Sequence, residues 1–577
     1  MPSLFSLPTT GAGRLLATLL VSGTPGAMAH ELTSQAYRNS LAPGEAALLF
    51  AAADLRAPAP APATAADLCQ LTLRVFDAQT RQPRPALVRL TSAGGSALPL
   101  PGLINRGLGL RQNHPAKEWF VLPAGATVPV PRGRFTLEAF AGLETERVRV
   151  SLETTGRTEI QVDLPLTTFS AVVRGGWYAG NPHLHLQKLT RAQADSYLRA
   201  VPRSDGLDVV FVSYLERMND DRQYISNEYS LADLGRLGGP DLHFGNGQEH
   251  RHNFERGGEG YGHVMFLDLP ERVPPVSIGA GLTGLGPDWP PLRTGIGRAR
   301  DQRATVVWCH NRFGHEDVPS WLDGLVDAQN IFDGGSTGSY ADTFYRYLNI
   351  GLKVPFSAGT DWFIYDFSRV YARVEGPLTV PSWLAALKAG RTFISNGPLL
   401  EFHVGTSQAG DTIRLEQPEI LTVSGRATGR HDFRELELIR NGQVVHRAPS
   451  RAVEGHFEAE LNFRLTLDAS SWLALRVTGG SLDSSGAVAV PVQLPVRGSG
   501  PKNEMGETPF AHTSPVYVEL GGKVIFIPDA ARSLVTDLEA ALTAILSKAA
   551  FDRDTQREEV LQIYRDSIAG LRHRLRE

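Results

Sequence analysis

Cysteine is almost missing from this 577-residue chain. There are two, Cys69 and Cys309, far apart in sequence. A disulfide framework is therefore excluded as the organising principle. An excess of one charge is missing too. The formal net charge is -4, which leaves no basic footprint for nucleic acid and no acidic tail. No apolar stretch approaches the ~18 residues of a membrane-spanning helix, so no membrane span is expected. Glycine and proline, by contrast, are plentiful at 58 and 38, which favours turns and short strands. The length exceeds what one hydrophobic core organises, and three or four domains are expected.

The N-terminus has the pattern of an export signal over 1–29. Arg14 precedes an apolar stretch at 15–21, and small residues follow down to Ala27-Met28-Ala29, an A-x-A cleavage pattern. That predicts a periplasmic or secreted protein. Residues 30–66 read as a segment with one short helix over 30–50, followed by an Ala/Pro-rich linker. From 67 to 168, short alternating runs such as 71–76, 135–140 and 158–164 sit between turn residues and predict a β-sandwich. From 169 to 395 the character changes. Seven strand-like runs (171–173, 209–212, 242–244, 264–267, 305–309, 325–331 and 354–357) alternate in part with helical patterns, as in a repeated βα fold. Thr190 is expected to cap a helix over 191–201, residues 339–350 form an amphipathic pattern, and Ser382 is expected to cap 383–389. Residues 396–520 return to strands and predict a second sandwich, with Asn441-Gly442 as a hairpin turn. Residues 521–577 hold a strand and two helices expected to pack as a hairpin. The fold class is thus α/β: a barrel of about seven βα units, flanked by two β-sandwich domains and ending in a helical hairpin.

Chemistry collects where the apolar runs of the 169–395 region end. His183 and His185, two apart at a strand end, turn their rings to one side, a geometry that suits one metal ion. Glu249 is expected in the loop after 242–244. His263 opens the 264–267 run, His310 closes 305–309, and Asp361 follows 354–357. One histidine at a strand end is usually a packed structural residue. Four histidines and two carboxylates spread over most strands of one barrel, where active sites form, predict a metal site. His250 and His252 are read as part of a solvated charged loop. Arg312 and His315, just past His310, are candidates for oxyanion stabilisation or general acid catalysis. Cys309 is expected in the wall behind the site, because neighbours on a strand face opposite ways. Arg217 and Tyr214 are candidates for the pocket lining, and His512 for packing.

These stretches resemble the PHP (polymerase and histidinol phosphatase) superfamily of metallohydrolases, and within it the CehA/McbA branch, named for carbaryl hydrolase. The resemblance rests on Asn181-Pro182-His183-Leu184-His185, on Gly247-Gln248-Glu249 with Gly262-His263, on Val307-Trp308-Cys309-His310, and on Arg391-Thr392-Phe393-Ile394-Ser395-Asn396-Gly397-Pro398. It covers about 170–400 and implies a distorted (βα)7 PHP-type barrel. It also implies that His183, His185 and Asp361 hold one ion, that Glu249 bridges to a second, and that His263 and His310 complete that second site. Such a pair can share a hydroxide and hold both attacking and leaving oxygens. Nitrogen and carboxylate ligands suit Zn, Mn or Fe. The places where many relatives carry third-metal histidines look like Arg191, the neighbourhood of residues 213–215, and Phe363, so two divalent ions are expected. Asn181-Pro182 stands where the branch often has Gly-Asp, which implies a weaker outer support for the site.

The resemblance implies a metal-dependent hydrolase in which a metal-bound hydroxide cleaves a small-molecule ester, carbamate or phosphoester. The rival expectation is an exported, non-catalytic binding protein that keeps a structural metal in the same scaffold.

Overall fold

The computed structural model describes residues 68–170, 172–217, 224–255, 259–311, 313–335, 339–478 and 500–577. The expected export signal, the 30–66 segment and Arg312 lie outside these residues. The architecture is mixed α/β, with several sheets and a C-terminal helical pair.

The N-terminal region is two sheets on one core. The Leu68–Asp77 strand lies between Gly125–Pro131 and Glu159–Leu166. A second sheet is built around Ala86–Ser92 and Arg134–Phe140. Inward residues of both, among them Leu71, Leu73, Val88, Leu137 and Leu164, are fully buried together. The alternation read from the sequence is the cause, since it puts one apolar face on each sheet. One buried side chain ties this region to the next. Arg106 makes a two-toothed ion pair with Asp205 (3.1 and 2.6 Å) and donates to the carbonyls of Tyr365 and Asp366. That clamp holds the segment just after Asp361.

The large sheet carries the site. Trp177–His185, Val209–Tyr214 and His243–His252 run parallel. Gly262–Leu267 then runs antiparallel to both its neighbours, His243–His252 and Thr305–Trp308. Parallel pairing resumes through Ala328–Asn330 to Phe356–Ser357. The Asp361–Trp362 strand returns to pair with Leu184 and His185 of the first strand. The repeated βα pattern expected from sequence is therefore corrected at one strand. Residues 253–261 are too few for a crossover helix, so the chain folds straight back.

Two helix starts and two strands also differ from expectation; the run expected at 171–173 gives way to a 3-10 turn at Val172–Gly175, and the first strand of the large sheet begins at Trp177. Arg191–Ser204 begins at the Thr190 cap as predicted. The later helix is Val380–Lys388, capped by Thr379, with Ser382 as the reciprocal partner three residues on. Within 339–350 the helix is a π turn, Ala341–Tyr345, followed by Arg346–Leu348. His243–His252 is one long buried strand, not a strand followed by a solvated loop. Downstream, Glu435–Arg440 and Gln443–Pro449 form the expected hairpin. Asn441 and Gly442 turn it with φ of 55° and 88°, the left-handed pair that matches strand twist. Thr392–Ser395 pairs with Ala511–Thr513, which joins the strands before and after residue 395 in one sheet. Helices Pro528–Lys548 and Asp554–Arg574 pack together and bury Leu534, Leu538, Ile545, Val560, Tyr564 and Leu571.

Candidate metal centre

The six side chains singled out in the sequence come together. His183, His185, Glu249 and Asp361 form one group whose ligand atoms lie within 4.8 Å of each other, and Glu249, His263 and His310 form a second that shares the glutamate. His183 Nε2 and His185 Nε2 are 3.1 Å apart. Asp361 Oδ1 is 3.3 Å from His183 Nε2, and Glu249 Oε2 is 3.3 Å from His185 Nε2. Glu249 Oε1 faces His263 Nδ1 at 3.1 Å and His310 Nε2 at 3.4 Å. All six are buried; His310 is the most exposed at 7%.

Local backbone explains how they meet. Pro182 cannot donate to a ladder, and the register of the first strand slips between Asn181 and Leu184. A slip of this kind re-aims side chains. His310 and Asp361 have φ of 56° and 59°, and Asn311, Phe332 and Phe363 beside them are also left-handed. Non-glycine residues adopt that region at a cost and keep it where surrounding contacts fix it. Here Asp333 Oδ1 accepts the His310 N–H (2.9 Å), Asn311 Oδ1 accepts the Phe332 N–H (2.9 Å), and His185 O accepts the Phe363 N–H (2.9 Å).

The outer nitrogen of every histidine in the set has an oxygen partner. His183 Nδ1 meets Asp333 Oδ2 at 2.9 Å, and His310 Nδ1 meets Asp333 Oδ1 at 3.1 Å. His185 Nδ1 meets the Ser213 carbonyl at 3.0 Å, and His263 Nε2 meets Asn253 Oδ1 at 3.0 Å. Holding the outer N–H in this way fixes the tautomer and leaves the other nitrogen as a lone pair facing the cluster. Asp333 and Asn253 were not found from sequence. Asn181, whose presence implied a weaker support, instead bridges the two ligand segments. Its Oδ1 accepts from the backbone N–H groups of His183 and Thr360, both at 3.2 Å, and its Nδ2 donates to Thr360 Oγ1 at 2.7 Å.

Electrostatics follow from burial and close packing. Burial alone would raise the Glu249 carboxyl, but Arg251 and the three facing histidines hold it well below the usual range. Burial drives His185 down, and burial with Arg251 drives His263 well down. Burial is the largest single influence on His183 and His310 and pulls both down, yet both end raised, because the carboxylates around them, Asp361, Asp333 and Glu249, together outweigh it. The donor set fits divalent ions. Glu249 Oε1 and His310 Nε2 are buried without an acceptable hydrogen bond, the condition an ion would relieve. A third cluster, His183, Cys309 and Asp333, suits an ion less. The His183–Asp333 contact already satisfies those two, and burial keeps the Cys309 thiol protonated by raising it well above its ordinary value. Cys309 is thus wall, as expected.

The remaining candidates are placed elsewhere. Among the described residues no hydrogen bond, ion pair or ring contact joins His315 to the six; its ring lies 5.9 Å from Phe254 and its N–H reaches Gly260 O. His250 and His252, read as solvated, are fully buried. The Arg217 guanidinium lies 5.2 Å from the Trp362 ring, which is 5.2 Å from the His185 ring, so Arg217 stands at the edge of the site. Tyr214 donates to Glu216 at 2.8 Å. Arg191 pairs with Asp195 at 2.9 Å, and Phe363 packs on Tyr197; neither is a ligand. His512 is packed, as expected. Comparison with family models, with curated proteins and with solved structures found no match.

Proposed function

We propose that this chain is a hydrolase dependent on divalent metal, acting on a small-molecule ester, carbamate or phosphoester, with a distorted PHP-type barrel of the CehA/McbA kind. The observation that carries the reading is the pair of overlapping ligand groups joined by Glu249. His183, His185 and Asp361 would hold one ion and His263 and His310 the other, with Glu249 offering an oxygen to each group. Two ions in such a site supply Lewis acidity toward the electrophilic oxygen and acidify water at neutral pH.

The chain's own residues do the rest. Asp333 anchors the outer nitrogens of His183 and His310 so that their inward nitrogens face the cluster, and Ser213 O and Asn253 do the same for His185 and His263. Asn181 sets the distance between the first ligand strand and Asp361. Buried walls exclude bulk water, so charge developing on a substrate meets fixed dipoles. Export to the periplasm or beyond accords with the A-x-A pattern at 27–29.

The rival is a binding protein with a structural ion, and the deep burial of all six side chains favours it. One assay separates the two. Purified protein is tested on p-nitrophenyl acetate and on bis-p-nitrophenyl phosphate, with and without Mn²⁺ or Zn²⁺. Metal-dependent turnover of either, lost in His310→Ala, supports the hydrolase. Turnover of neither by fully loaded protein refutes it.

A further inference from the structure

Arg251 has no task in the proposed reaction, yet it stands inside the cluster. Residues two apart on a strand share a face, which puts Arg251 beside Glu249. Arg251 is also the direct cross-strand partner of His263. Its side chain is fully buried. Its Nη1 donates to Glu249 Oε2 at 3.2 Å, and its Nη2 lies 3.4 Å from His263 Nε2. A guanidinium does not lose its proton in a protein, so this is a permanent positive charge against the shared ligand.

The charges around the cluster decide what it can hold. Among the described residues, Glu249, Asp361 and Asp333 bring three negative charges and Arg251 one positive; the same four act electrostatically on the Cys309 thiol. Imidazoles that ligate an ion are neutral and add nothing. The net of two negative charges balances a single divalent ion. A second divalent ion leaves two uncompensated positive charges in a buried space, which is costly. The cost falls on the side of Glu249, His263 and His310, where the guanidinium stands 3.4 Å from His263 and Glu249 is the one carboxylate of the ligand group.

We propose that Arg251 makes the second divalent ion bind in concert with an oxyanion. The first ion binds alone at His183, His185 and Asp361. The second enters at Glu249, His263 and His310 together with an oxyanion-bearing group of the substrate or product, which restores charge balance. The coupling is reciprocal: the second ion raises the affinity for the anion by the factor by which the anion raises the affinity for the ion. This rests on the metal-site reading and adds a substrate class to it, a compound whose group at the metals carries negative charge in the substrate or in the product.

The test is a Mn²⁺ titration of the full chain, with free ion followed by electron paramagnetic resonance. It is run without added anion, with inorganic phosphate and with acetate, for the wild type, Arg251→Gln and Arg251→Lys. The wild type should take up one ion tightly, and the second on the order of tenfold more tightly once phosphate or acetate is added, within the usual range of coupling between sites. In Arg251→Gln the second ion should bind about tenfold more tightly without any anion, and the anion effect should shrink. Arg251→Lys, which keeps the charge, should behave as the wild type, and unchanged circular dichroism should show that each variant folds. Two ions bound with like affinity by the wild type in the absence of either anion would overturn this inference and leave the hydrolase reading standing. So would an Arg251→Gln variant whose second ion is unaffected. A wild type that binds no Mn²⁺ overturns both.

Discussion

His183, His185, His263 and His310 form one set of buried histidines; His252 and His512 form another, equally buried. In the second set both ring nitrogens are satisfied by protein. His252 Nε2 meets Asp288 Oδ1 at 2.9 Å, and its Nδ1 accepts the Tyr261 N–H at 2.9 Å. His512 Nε2 meets the Tyr345 hydroxyl at 2.7 Å and its Nδ1 meets Thr513 O at 2.8 Å, while burial pushes its pKa down to about 3. In the first set one nitrogen is anchored outward and the other is turned into a cluster of nitrogens and carboxylate oxygens. Burial is common to both sets and marks nothing by itself. The inward nitrogens, together with left-handed backbone at His310 and Asp361, mark the site.

The largest test of that contrast is to truncate one member of each set. His183→Ala or Asp361→Ala should weaken metal binding, and any metal-dependent hydrolysis, by more than about 100-fold, because a direct ligand outweighs the 10–100-fold typical of outer partners. His512→Ala should leave metal binding unchanged. Equilibrium dialysis with metal analysis reads both. Next comes Asp333→Asn. It takes a carboxylate from His183 and His310 at once, and metal affinity should drop about 10–100-fold while the circular dichroism spectrum stays as in the wild type. Gly334→Ala should act in the same direction with a smaller effect, on the order of tenfold in metal affinity. Gly334 has φ of 65°, and an added Cβ would sit 2.7 Å from Asp361 Oδ2.

The second set is expected to respond in stability alone. His252→Ala leaves Asp288 Oδ1 and the Tyr261 N–H without their partner, at a cost of about 1–3 kcal/mol. Denaturant unfolding should show that loss while metal titration shows no change.

The smallest effect concerns a buried acid outside the site. Burial pushes Glu316 up to about 7, although it accepts the backbone N–H groups of Leu292 (2.9 Å) and Arg293 (2.8 Å). Its folded-state pKa lies above its unfolded one. The stabilisation is therefore complete below about 4.5 and is lost as pH rises toward 7. Wild-type stability should fall by on the order of 1 kcal/mol between pH 5 and pH 7.5 on this account, and Glu316→Gln should flatten that slope in unfolding curves taken at the two pH values.

The legible and illegible parts of the molecule divide along the same contrast. Ligands at strand ends could be read because an apolar run followed by histidine or aspartate is a local pattern, as at His310 and Asp361. The hairpin at Asn441-Gly442 and the cap at Thr190 are local too. Asp333 and Asn253 could not be read, because an outer anchor is defined only by the ring it meets across the sheet. The His243–His252 strand was half hidden. Its polar second half reads as a loop, and only burial on both faces, with charge paired against charge, makes it a strand. The antiparallel course of Gly262–Leu267 follows from a short connection that spacing alone did not reveal.

The most direct test of the central claim is an anomalous-scattering map from crystals of the purified protein equilibrated with Zn²⁺. The account predicts density about 2.0–2.2 Å from His183 Nε2, His185 Nε2 and an Asp361 oxygen, the usual coordination range. In the presence of phosphate a second peak should appear beside His263 Nδ1 and His310 Nε2. An ion held instead by His252 and Asp288, or no peak among the six side chains at saturating Zn²⁺, would contradict it.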